Sequence, residues 1–275
     1  MSAVETESDL VLQIQMAKKA LKAKKAQSNL LDFIEYMKPS KKDAFDYDLS
    51  EYRAAPHHKF MIDLFTKTTV GGGLRTALSI PPQHGKTTVF GQYGLAWLAG
   101  NNPEMQIIFG TYSDSRASKV GESVRTIMMD ERFLDVFPDF ELRKGSKSKD
   151  FVGFGKEGSI MFLGRNSGAS GNPCHLFIID DPFKDRREAR SLAIREEVWD
   201  WYNSVVEARC PWLTPIVIIH TRWSDDDLIG RLCDPANAFY IQGDGDNYEY
   251  VNIPAIVHDP ALAFEIGRAS CRERV

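Results

Sequence analysis

Leu-Ser-Ile-Pro-Pro-Gln-His-Gly-Lys-Thr-Thr, at residues 78–88, is the stretch that decides the fold of this 275-residue chain. Residues 76–80 have the composition of a short buried strand, and residues 89–98 that of an apolar helix packed on a sheet. A strand and a tight turn that deliver Gly-Lys-Thr to a helix make a phosphate cradle, because backbone N–H groups and the helix N-terminus face the anion. The sequence therefore predicts a P-loop.

The loop departs from the full P-loop pattern at one position. That pattern has a glycine five residues before Gly85, where this chain has Ile80. A Gly-Lys-Thr tripeptide alone also occurs at helix N-termini whose lysine is only a surface residue, but the flanking strand and helix favour phosphate binding. In that interpretation Lys86 supplies a point charge to the phosphates and Thr87 places its hydroxyl on Mg²⁺.

The composition limits the class of protein. Hydrophobic residues make up 43% of the chain and the formal net charge is −4, which allows one sizeable α/β domain and argues against a surface covered with nucleic-acid-binding charge. Any DNA contact must therefore be local. The four cysteines show no CxxC spacing, so neither a zinc site nor a disulfide framework is indicated, and reduced thiols suit a cytosolic compartment. No run of about 18 apolar residues is available to span a membrane.

Five lysines lie within residues 16–25. They form either the solvated basic face of a helix or an electrostatic arm for DNA or a partner protein. The first interpretation is the commoner one for such a run, and we favour it.

Apolar runs and turn residues outline the rest of the fold. We expect further strands at residues 105–110, 159–163, 175–179 and 216–219. We expect helices up to about residue 37 and at residues 58–66, 115–130 and 186–209, and loops at residues 71–73, 145–149 and 164–173. Continuous apolar runs suit a parallel sheet covered on both faces. The predicted fold class is α/β, a P-loop NTPase with a mostly parallel central sheet flanked by helices, plus a helical N-terminal region.

Two acidic residues close the apolar run that ends at residue 179. This is the Walker B arrangement, in which Asp180 would hold Mg²⁺ through water and Asp181 would orient and activate the attacking water as general base. The alternative is a strand-ending Asp-Asp-Pro turn without chemistry. The P-loop upstream favours the functional interpretation.

A polar cluster follows the last apolar run. Thr221 would sense the terminal phosphate and Arg222 would respond to its charge, since open α/β sheets bind ligands at the carboxyl ends of their strands. For Trp223, a place in the core or at a hinge is an equally good interpretation. The three successive acids at residues 225–227 point in different directions, so we expect them to cap a helix that starts near Leu228 rather than to bind a metal.

These motifs together resemble the large terminase subunit of tailed bacteriophages. The resemblance covers roughly residues 30–260, in order, and rests on Pro-Pro-x-His-Gly-Lys-Thr at 81–87, Gly-Thr-Tyr-Ser at 110–113, Phe-Pro-Asp at 137–139, Ile-Ile-Asp-Asp-Pro-Phe-Lys-Asp at 178–185, Trp-Asp-Trp-Tyr at 199–202 and Thr-Arg-Trp-Ser-Asp-Asp-Asp-Leu at 221–228. It implies an ATPase motor that threads phage DNA through a portal into an empty capsid, and family members also carry a C-terminal nuclease.

The resemblance also implies residue roles and partners. It makes the phosphate loop of Gln83, His84, Gly85, Lys86, Thr87 and Thr88 the ATP-binding segment. It puts Thr87 and Asp180 on Mg²⁺, Asp181 at the place of a catalytic acid that is often Glu, and the coupling motif at Thr221, Arg222 and Trp223. The implied partners are double-stranded phage DNA, the portal protein, the small terminase subunit and further copies in a ring, in the host cytoplasm and without a membrane.

Two positions depart from the family pattern. Relatives often have arginine where this chain has Gln83 and near Asn172. The arginine finger is therefore unassigned, with Arg165, Arg116 and Arg222 as candidates.

We divide the chain into four parts. Residues 1–50 form the helical N-terminal region, residues 51–250 the ATPase domain, and residues 251–264 the start of a linker toward an absent nuclease domain. Residues 265–275 back-translate into a sequence that resembles a sequencing-library adapter, so we expect the genuine sequence to end near Phe264 and the chain to be truncated before its nuclease.

Two other function classes stay open on the sequence alone. One is another DNA-dependent P-loop ATPase, such as a helicase-like translocase, because the strand pattern fits both. The other is a non-catalytic fragment that docks on a portal, for which the unusual Asp181 and the unassigned finger leave room.

Overall fold

The structure is a computed structural model that describes residues 7–44, 46–70, 75–143, 148–167, 173–211, 213–240 and 248–254. The predicted turn at 71–73, parts of the loops at 145–149 and 164–173, and the predicted tail at 265–275 lie outside the described residues, as does Asn172.

A seven-stranded sheet forms the centre of the molecule. Its strands are β1 (Arg75–Ser79), β2 (Gln106–Thr111), β3 (Phe151–Gly153), β4 (Ser159–Gly164), β5 (Leu176–Asp180), β6 (Ile216–His220) and β7 (Tyr248–Asn252). Their order is β3-β4-β2-β5-β6-β1-β7, and every neighbouring pair is parallel except β3 with β4. The predicted mostly parallel sheet is confirmed.

Continuous apolar runs form the central strands because both faces of the sheet are covered. Every residue of β5 and β6 is buried. Successive side chains enter different cores: Ile178 packs with the N-terminal helices, whereas Ile179 packs on the opposite face. The site described below thus stands on strands that are fixed from both sides.

Helices cover the two faces. They are α1 (Glu7–Ser28), α2 (Leu30–Met37), α3 (Pro56–Val70), α4 (Gly94–Asn101), α5 (Asp114–Met128), α6 (Glu131–Val136), α7 (Arg186–Arg190), α8 (Leu192–Trp201) and α9 (Leu228–Cys233). The predicted N-terminal helices are present, and α2 packs into the same core as the sheet, with Phe33 at ring-centroid distances of 6.0 Å from Phe133 and 5.8 Å from Phe137. Among the described helices, none is long and apolar enough to cross a membrane.

The basic stretch of α1 is partly engaged within the molecule. Lys18 and Lys22 pair with Asp48, at 3.2 and 3.1 Å, and Lys19 pairs with Asp135 at 2.6 Å. These three lysines therefore help to hold α1 against the rest of the chain, although exposed pairs of this kind contribute little individually.

The single helix predicted at residues 186–209 is wrong. The chain is extended at Ser191, which separates α7 from α8, and α8 continues into a π-helical segment (Tyr202–Val206) and a short 3₁₀ turn (Glu207–Arg209). The reason is packing: Ala189 and Val198 are nine residues apart and would lie about 180° apart on one straight helix. Because of the break, both are buried in the same core.

Three further differences concern the ends and edges. The helix predicted at residues 89–98 begins with a π-helical segment, Thr87–Tyr93, in which the N–H of Gly94 donates to the carbonyl of Val89. The edge strands β3 and β7 and helix α6 were not predicted. Strand β7 runs to Asn252, two residues past the predicted end of the ATPase domain at residue 250.

Candidate active site

The predicted site residues meet at one edge of the sheet. The P-loop follows β1, Asp181 follows β5 and Thr221 follows β6, and these three strands are neighbours in the order β5-β6-β1. Because they are parallel, their carboxyl ends lie side by side, with Ser79 opposite His220 and Asp180 opposite Ile219. This edge is where open parallel sheets hold ligands.

The phosphate loop depends on the backbone conformation of Gly85. Its φ is +81°, which favours glycine, and an added Cβ would lie 3.0 Å from Nε2 of His58. Gln83 also has a positive φ, of 63°, and is exposed. His84 holds the turn through its Nδ1, 2.8 Å from the carbonyl oxygen of Pro82. The position of the His58 ring beside Gly85 was not predicted, because α3 comes next to the loop only through the tertiary fold.

Ile80 stands where the full P-loop pattern has its first glycine. Its side chain is 2% exposed and packs in the core, while its carbonyl oxygen faces the site. That oxygen accepts hydrogen bonds from Nζ of Lys86 and from the hydroxyl of Thr221, both at 3.2 Å. The position thus supplies an acceptor to the site and an apolar side chain to the core.

Lys86 joins the phosphate loop to the two other strand ends. Its side chain is 5% exposed, and Nζ donates to Oγ1 of Thr221 at 2.6 Å. The same nitrogen lies 3.4 Å from Oδ1 of Asp181. A buried ammonium needs such partners, so the lysine is held in place by the residues predicted to act with it.

Thr87 and Asp180 form a second contact across the site. Oγ1 of Thr87 donates to Oδ2 of Asp180 at 2.6 Å and accepts from Nη2 of Arg116 at 3.1 Å. The other carboxylate oxygen of Asp180, Oδ1, is buried and has no hydrogen-bond partner among the described residues. Burial raises the pKa of Asp180 to about 7, and the charge of Asp181 adds to the rise. A buried carboxylate oxygen without a donor, next to a threonine hydroxyl, fits a hard divalent cation.

Asp181 sits in a left-handed turn. Its φ is +47°, and aspartate adopts this region more readily than most residues do. Its Oδ1 accepts from the backbone N–H of Thr221 at 3.1 Å, and its carbonyl oxygen accepts from the N–H of Tyr112 at 3.2 Å. The turn is therefore fixed by the loops on both sides, and the carboxylate faces Lys86 with 35% of the side chain exposed.

Of the three predicted coupling residues, Thr221 contacts the phosphate loop, whereas Arg222 turns away. Nε of Arg222 donates to Oδ2 of Asp227 at 2.7 Å, and Nη1 donates to the hydroxyl of Tyr250 at 3.3 Å. Asp227 is fully buried and caps α9 by accepting from the N–H of Gly230 at 3.0 Å. Trp223 is 37% exposed.

Of the acidic run at residues 225–227, Asp227 caps the helix that starts at Leu228, as predicted, whereas Asp226 pairs with two arginines. Asp227 is the N-cap of α9, and Asp226 accepts from Arg231 at 2.9 Å and from Arg195 at 2.9 Å. The hydrogen bond from Arg231, with those from Asn237 and Arg195, lowers the pKa of Asp226 to about 2. Within the described ranges, no group of three or more His, Cys, Asp or Glu side chains could hold a metal ion.

The three candidate arginines have different surroundings. Arg165 is buried and donates to Glu188 at 2.8 Å and to the carbonyl of Pro182 at 2.9 Å. Arg222 is held by Asp227, as described above. Arg116 alone of the three contacts a residue of the phosphate loop, Thr87.

Three comparisons with known proteins bear on the family and fold of the chain. A family model described as "Terminase large subunit, T4likevirus-type, N-terminal" matches residues 77–269. The crystal structure of the HK97 bacteriophage large terminase is similar with a TM-score of 0.50 and 17% sequence identity, over 76% of this chain and 41% of that one. A point mutant of the Thermus phage P74-26 large terminase ATPase domain gives a TM-score of 0.41 and 17% identity, over 66% of this chain and 70% of that one. No curated protein matches the sequence.

The two kinds of comparison carry different weight. At 17% identity the similarity to the HK97 protein supports the fold, and this chain spans less than half the length of that protein. The family match covers more than half of the 275 residues and includes the phosphate loop, both acidic residues and Thr221. The chain therefore belongs to the terminase large subunit family, of the T4likevirus type, and corresponds to its N-terminal portion.

Proposed function

We propose that this chain is an Mg²⁺-dependent ATPase and the motor portion of a terminase large subunit, translocating double-stranded phage DNA into a procapsid. One observation carries the proposal: Lys86, Thr87, Asp180 and Asp181, from two distant segments, lie within contact distance at one edge of the sheet. A phosphate-binding lysine, a hydroxyl and two carboxylates are the groups that P-loop hydrolysis of ATP needs.

Binding of ATP would use residues 83–88. Lys86 is positioned to exchange its contact with Asp181 for the phosphates, and the N–H groups of the loop supply further donors. Thr87 and Asp180 would hold Mg²⁺, which supplies charge neutralisation on the phosphates when it is bound. The buried Oδ1 of Asp180 and the adjacent hydroxyl of Thr87 support this assignment.

Asp181 would act as the general base. Once Lys86 binds phosphate, the carboxylate is free to accept a proton from a water molecule, and its bond from the N–H of Thr221 keeps it oriented. The side chain is one methylene shorter than the glutamate often found at this place in the family. Its left-handed backbone contributes to the position of the shorter carboxylate.

Thr221 and Arg222 would transmit the movement of Lys86 upon ATP binding to α9 and β7. Thr221 contacts Lys86 directly, and the next residue connects through Asp227 to the start of α9 and through Tyr250 to β7. When Lys86 leaves Thr221 for a phosphate, the strand end that carries Arg222 loses a contact. Trp223 extends this segment to the surface.

The proposed partners follow from the family. They are phage DNA, the portal protein, the small terminase subunit and other copies of this chain in a ring at the procapsid portal, in the host cytoplasm. With a net charge of −4, DNA binding would rely on a local surface. Family membership favours this motor over a helicase-like translocase or a non-catalytic docking fragment.

Phosphate release from Mg·ATP by the purified chain tests the proposal. Turnover should be abolished in Lys86→Ala and Asp180→Ala and unchanged in Lys67→Ala, which removes an exposed lysine paired with Glu249 away from the site. Nucleotide binding is measured in parallel. Turnover that persists in Lys86→Ala, or a wild-type chain that neither binds nor hydrolyses ATP, would contradict the proposal.

A further inference from the structure

We propose that Arg116 contacts the terminal phosphate of ATP bound to the same chain. This inference rests on the proposed ATPase function and selects one of the three candidate arginines that the sequence left unassigned. It assigns the charge-stabilising arginine to the first turn of α5, the helix that follows β2.

The position of the guanidinium carries the inference. Nη2 of Arg116 donates to Oγ1 of Thr87 at 3.1 Å, and the same hydroxyl donates to Asp180 at 2.6 Å. The arginine thus already touches the hydroxyl assigned to the metal. Lys86 is the residue before Thr87 in the same loop, and it contacts Thr221. A phosphate bound at Lys86 and Thr87 would have two cations to stabilise its charge, which is what a transferring phosphoryl group needs.

The other two candidate arginines are committed to structural ion pairs. Arg165 pairs with Glu188 at 2.8 Å and Arg222 with the fully buried Asp227 at 2.7 Å. Moving Arg222 to a phosphate would leave the fully buried Asp227 unpaired, which is strongly unfavourable. Moving Arg165 would break the contact of a buried guanidinium with Glu188, whose side chain is 23% exposed. Arg116, by contrast, makes no ion pair with a carboxylate in the part of the chain that the structure describes. It can turn to an anion without breaking a pair.

Arg116 lies in the first turn of its helix, which also contains Asp114. Ser113 is the N-cap of α5 and accepts from the N–H of Arg116 at 3.3 Å, so the arginine lies in the first turn. A cation there faces the positive end of the helix dipole. A phosphate would interact favourably with both the guanidinium and the helix end.

The loop before Arg116 is tied to the catalytic turn. The N–H of Tyr112 and the hydroxyl of Thr111 both donate to the carbonyl oxygen of Asp181, at 3.2 and 3.4 Å. Strand β2 is also the direct neighbour of β5. The backbone just before α5 is therefore bonded to the turn of Asp181, so the first turn of α5 starts next to the proposed general base.

Calorimetric titration of the full chain with Mg·ATPγS and with Mg·ADP tests the assignment. Arg116→Ala should weaken Mg·ATPγS binding by about tenfold or more, the effect expected for losing a charge-assisted hydrogen bond, and should change Mg·ADP binding by less than about twofold. Arg116→Lys should bind Mg·ATPγS with an affinity between those of Arg116→Ala and the wild type. Lys119→Ala, which removes an exposed charge one turn further along α5, is the matched control and should change neither affinity.

The outcomes separate this inference from the proposed function. Equal weakening of both nucleotides in Arg116→Ala would show that the arginine only positions Thr87, and no weakening would show that it does not reach the nucleotide; either result overturns the assignment. Arg116→Lys, which retains the charge and most of the side chain, gives the comparison if the alanine variant does not fold. Failure of the wild type to bind either nucleotide would contradict the proposed function, and the assignment with it.

Discussion

Oδ1 of Asp181 lies 3.4 Å from Nζ of Lys86, so the proposed general base neutralises the proposed phosphate-binding lysine. In Asp181→Asn this competition is removed while the acceptor for the N–H of Thr221 remains. We expect turnover to fall about 10²- to 10⁴-fold, because the base is lost, and the affinity for Mg·ATPγS to stay the same or increase. Single-turnover hydrolysis and calorimetry measure the two effects. Asp181→Glu is the matched control and should retain activity; wild-type turnover in Asp181→Asn would exclude Asp181 as the base.

Thr87 offers a test of the metal site that does not depend on turnover. Thr87→Val keeps the shape of the side chain but removes the hydroxyl that contacts Asp180 and Arg116. We expect the Mg²⁺ concentration for half-maximal ATPγS binding to rise in Thr87→Val and to stay near the wild-type value in Thr87→Ser. An equal Mg²⁺ requirement in all three proteins would exclude the hydroxyl as a ligand.

Gly85→Ala should damage the phosphate loop in two separable ways. The positive φ disfavours alanine by about 1 kcal/mol or more, and the new methyl group would meet the ring of His58 at 3.0 Å. We expect lower nucleotide affinity and a lower melting temperature. His58→Ala removes the steric contact but not the backbone strain. Gly85→Ala should therefore lower nucleotide affinity and melting temperature less in the His58→Ala background than in the wild type, but still lower them. Full recovery would mean that φ plays no role.

Arg222 should matter for stability as well as for coupling. In Arg222→Ala the fully buried carboxylate of Asp227 loses the donor that lies 2.7 Å away. Breaking a buried pair in this way costs about 3–5 kcal/mol. Urea unfolding of the wild type, Arg222→Ala, Asp227→Asn and the double variant forms a double-mutant cycle. We expect the double variant to lose less unfolding free energy than the two single variants lose when their losses are added. Simple additivity would argue against the pair.

The stability contributed by Asp226 should depend on pH. Its pKa is lowered to about 2 by the hydrogen bond from Arg231 and those from Asn237 and Arg195, whereas an unfolded aspartate titrates near 3.9. The contribution is therefore present above about pH 4 and is lost as the pH falls toward 2. We expect Asp226→Asn to lower the melting temperature at pH 7 and the difference from wild type to shrink between pH 4 and 2. A difference that is constant over this range would contradict the shift.

The central strands and the P-loop were predictable because their signals are local. Strands β5 and β6 are apolar at nearly every position, which requires cover on both faces, and the Gly-Lys-Thr tripeptide stands between a strand and a helix. Strand β3 has only three residues and β7 carries Glu249, so neither has the run of apolar residues that indicates a buried strand. The break at Ser191 also has no local signal, since it follows from where Ala189 and Val198 must pack.

The contents of the site were predictable, but two of its contacts were not. Asp180, Asp181 and Thr221 follow apolar strands, and parallel strands bring their carboxyl ends to one edge. That Arg116 reaches Thr87 depends on β2 lying next to β5, and that His58 lies beside Gly85 depends on how α3 packs. Strand order and helix packing are decided by the whole chain, so a pattern within one segment does not reveal them.

Strand β7 has a mechanical consequence. It runs parallel to β1, so the chain leaves the sheet beside the phosphate loop. Ser79, the last residue of β1, donates its hydroxyl to Asn252, and its carbonyl oxygen accepts from the N–H of Ile253 at 2.8 Å. A movement of the loop would reach the departing chain through these two hydrogen bonds, without a helix in between. The residue that ends β1 just before the phosphate loop is thus bonded directly to the residues that end β7.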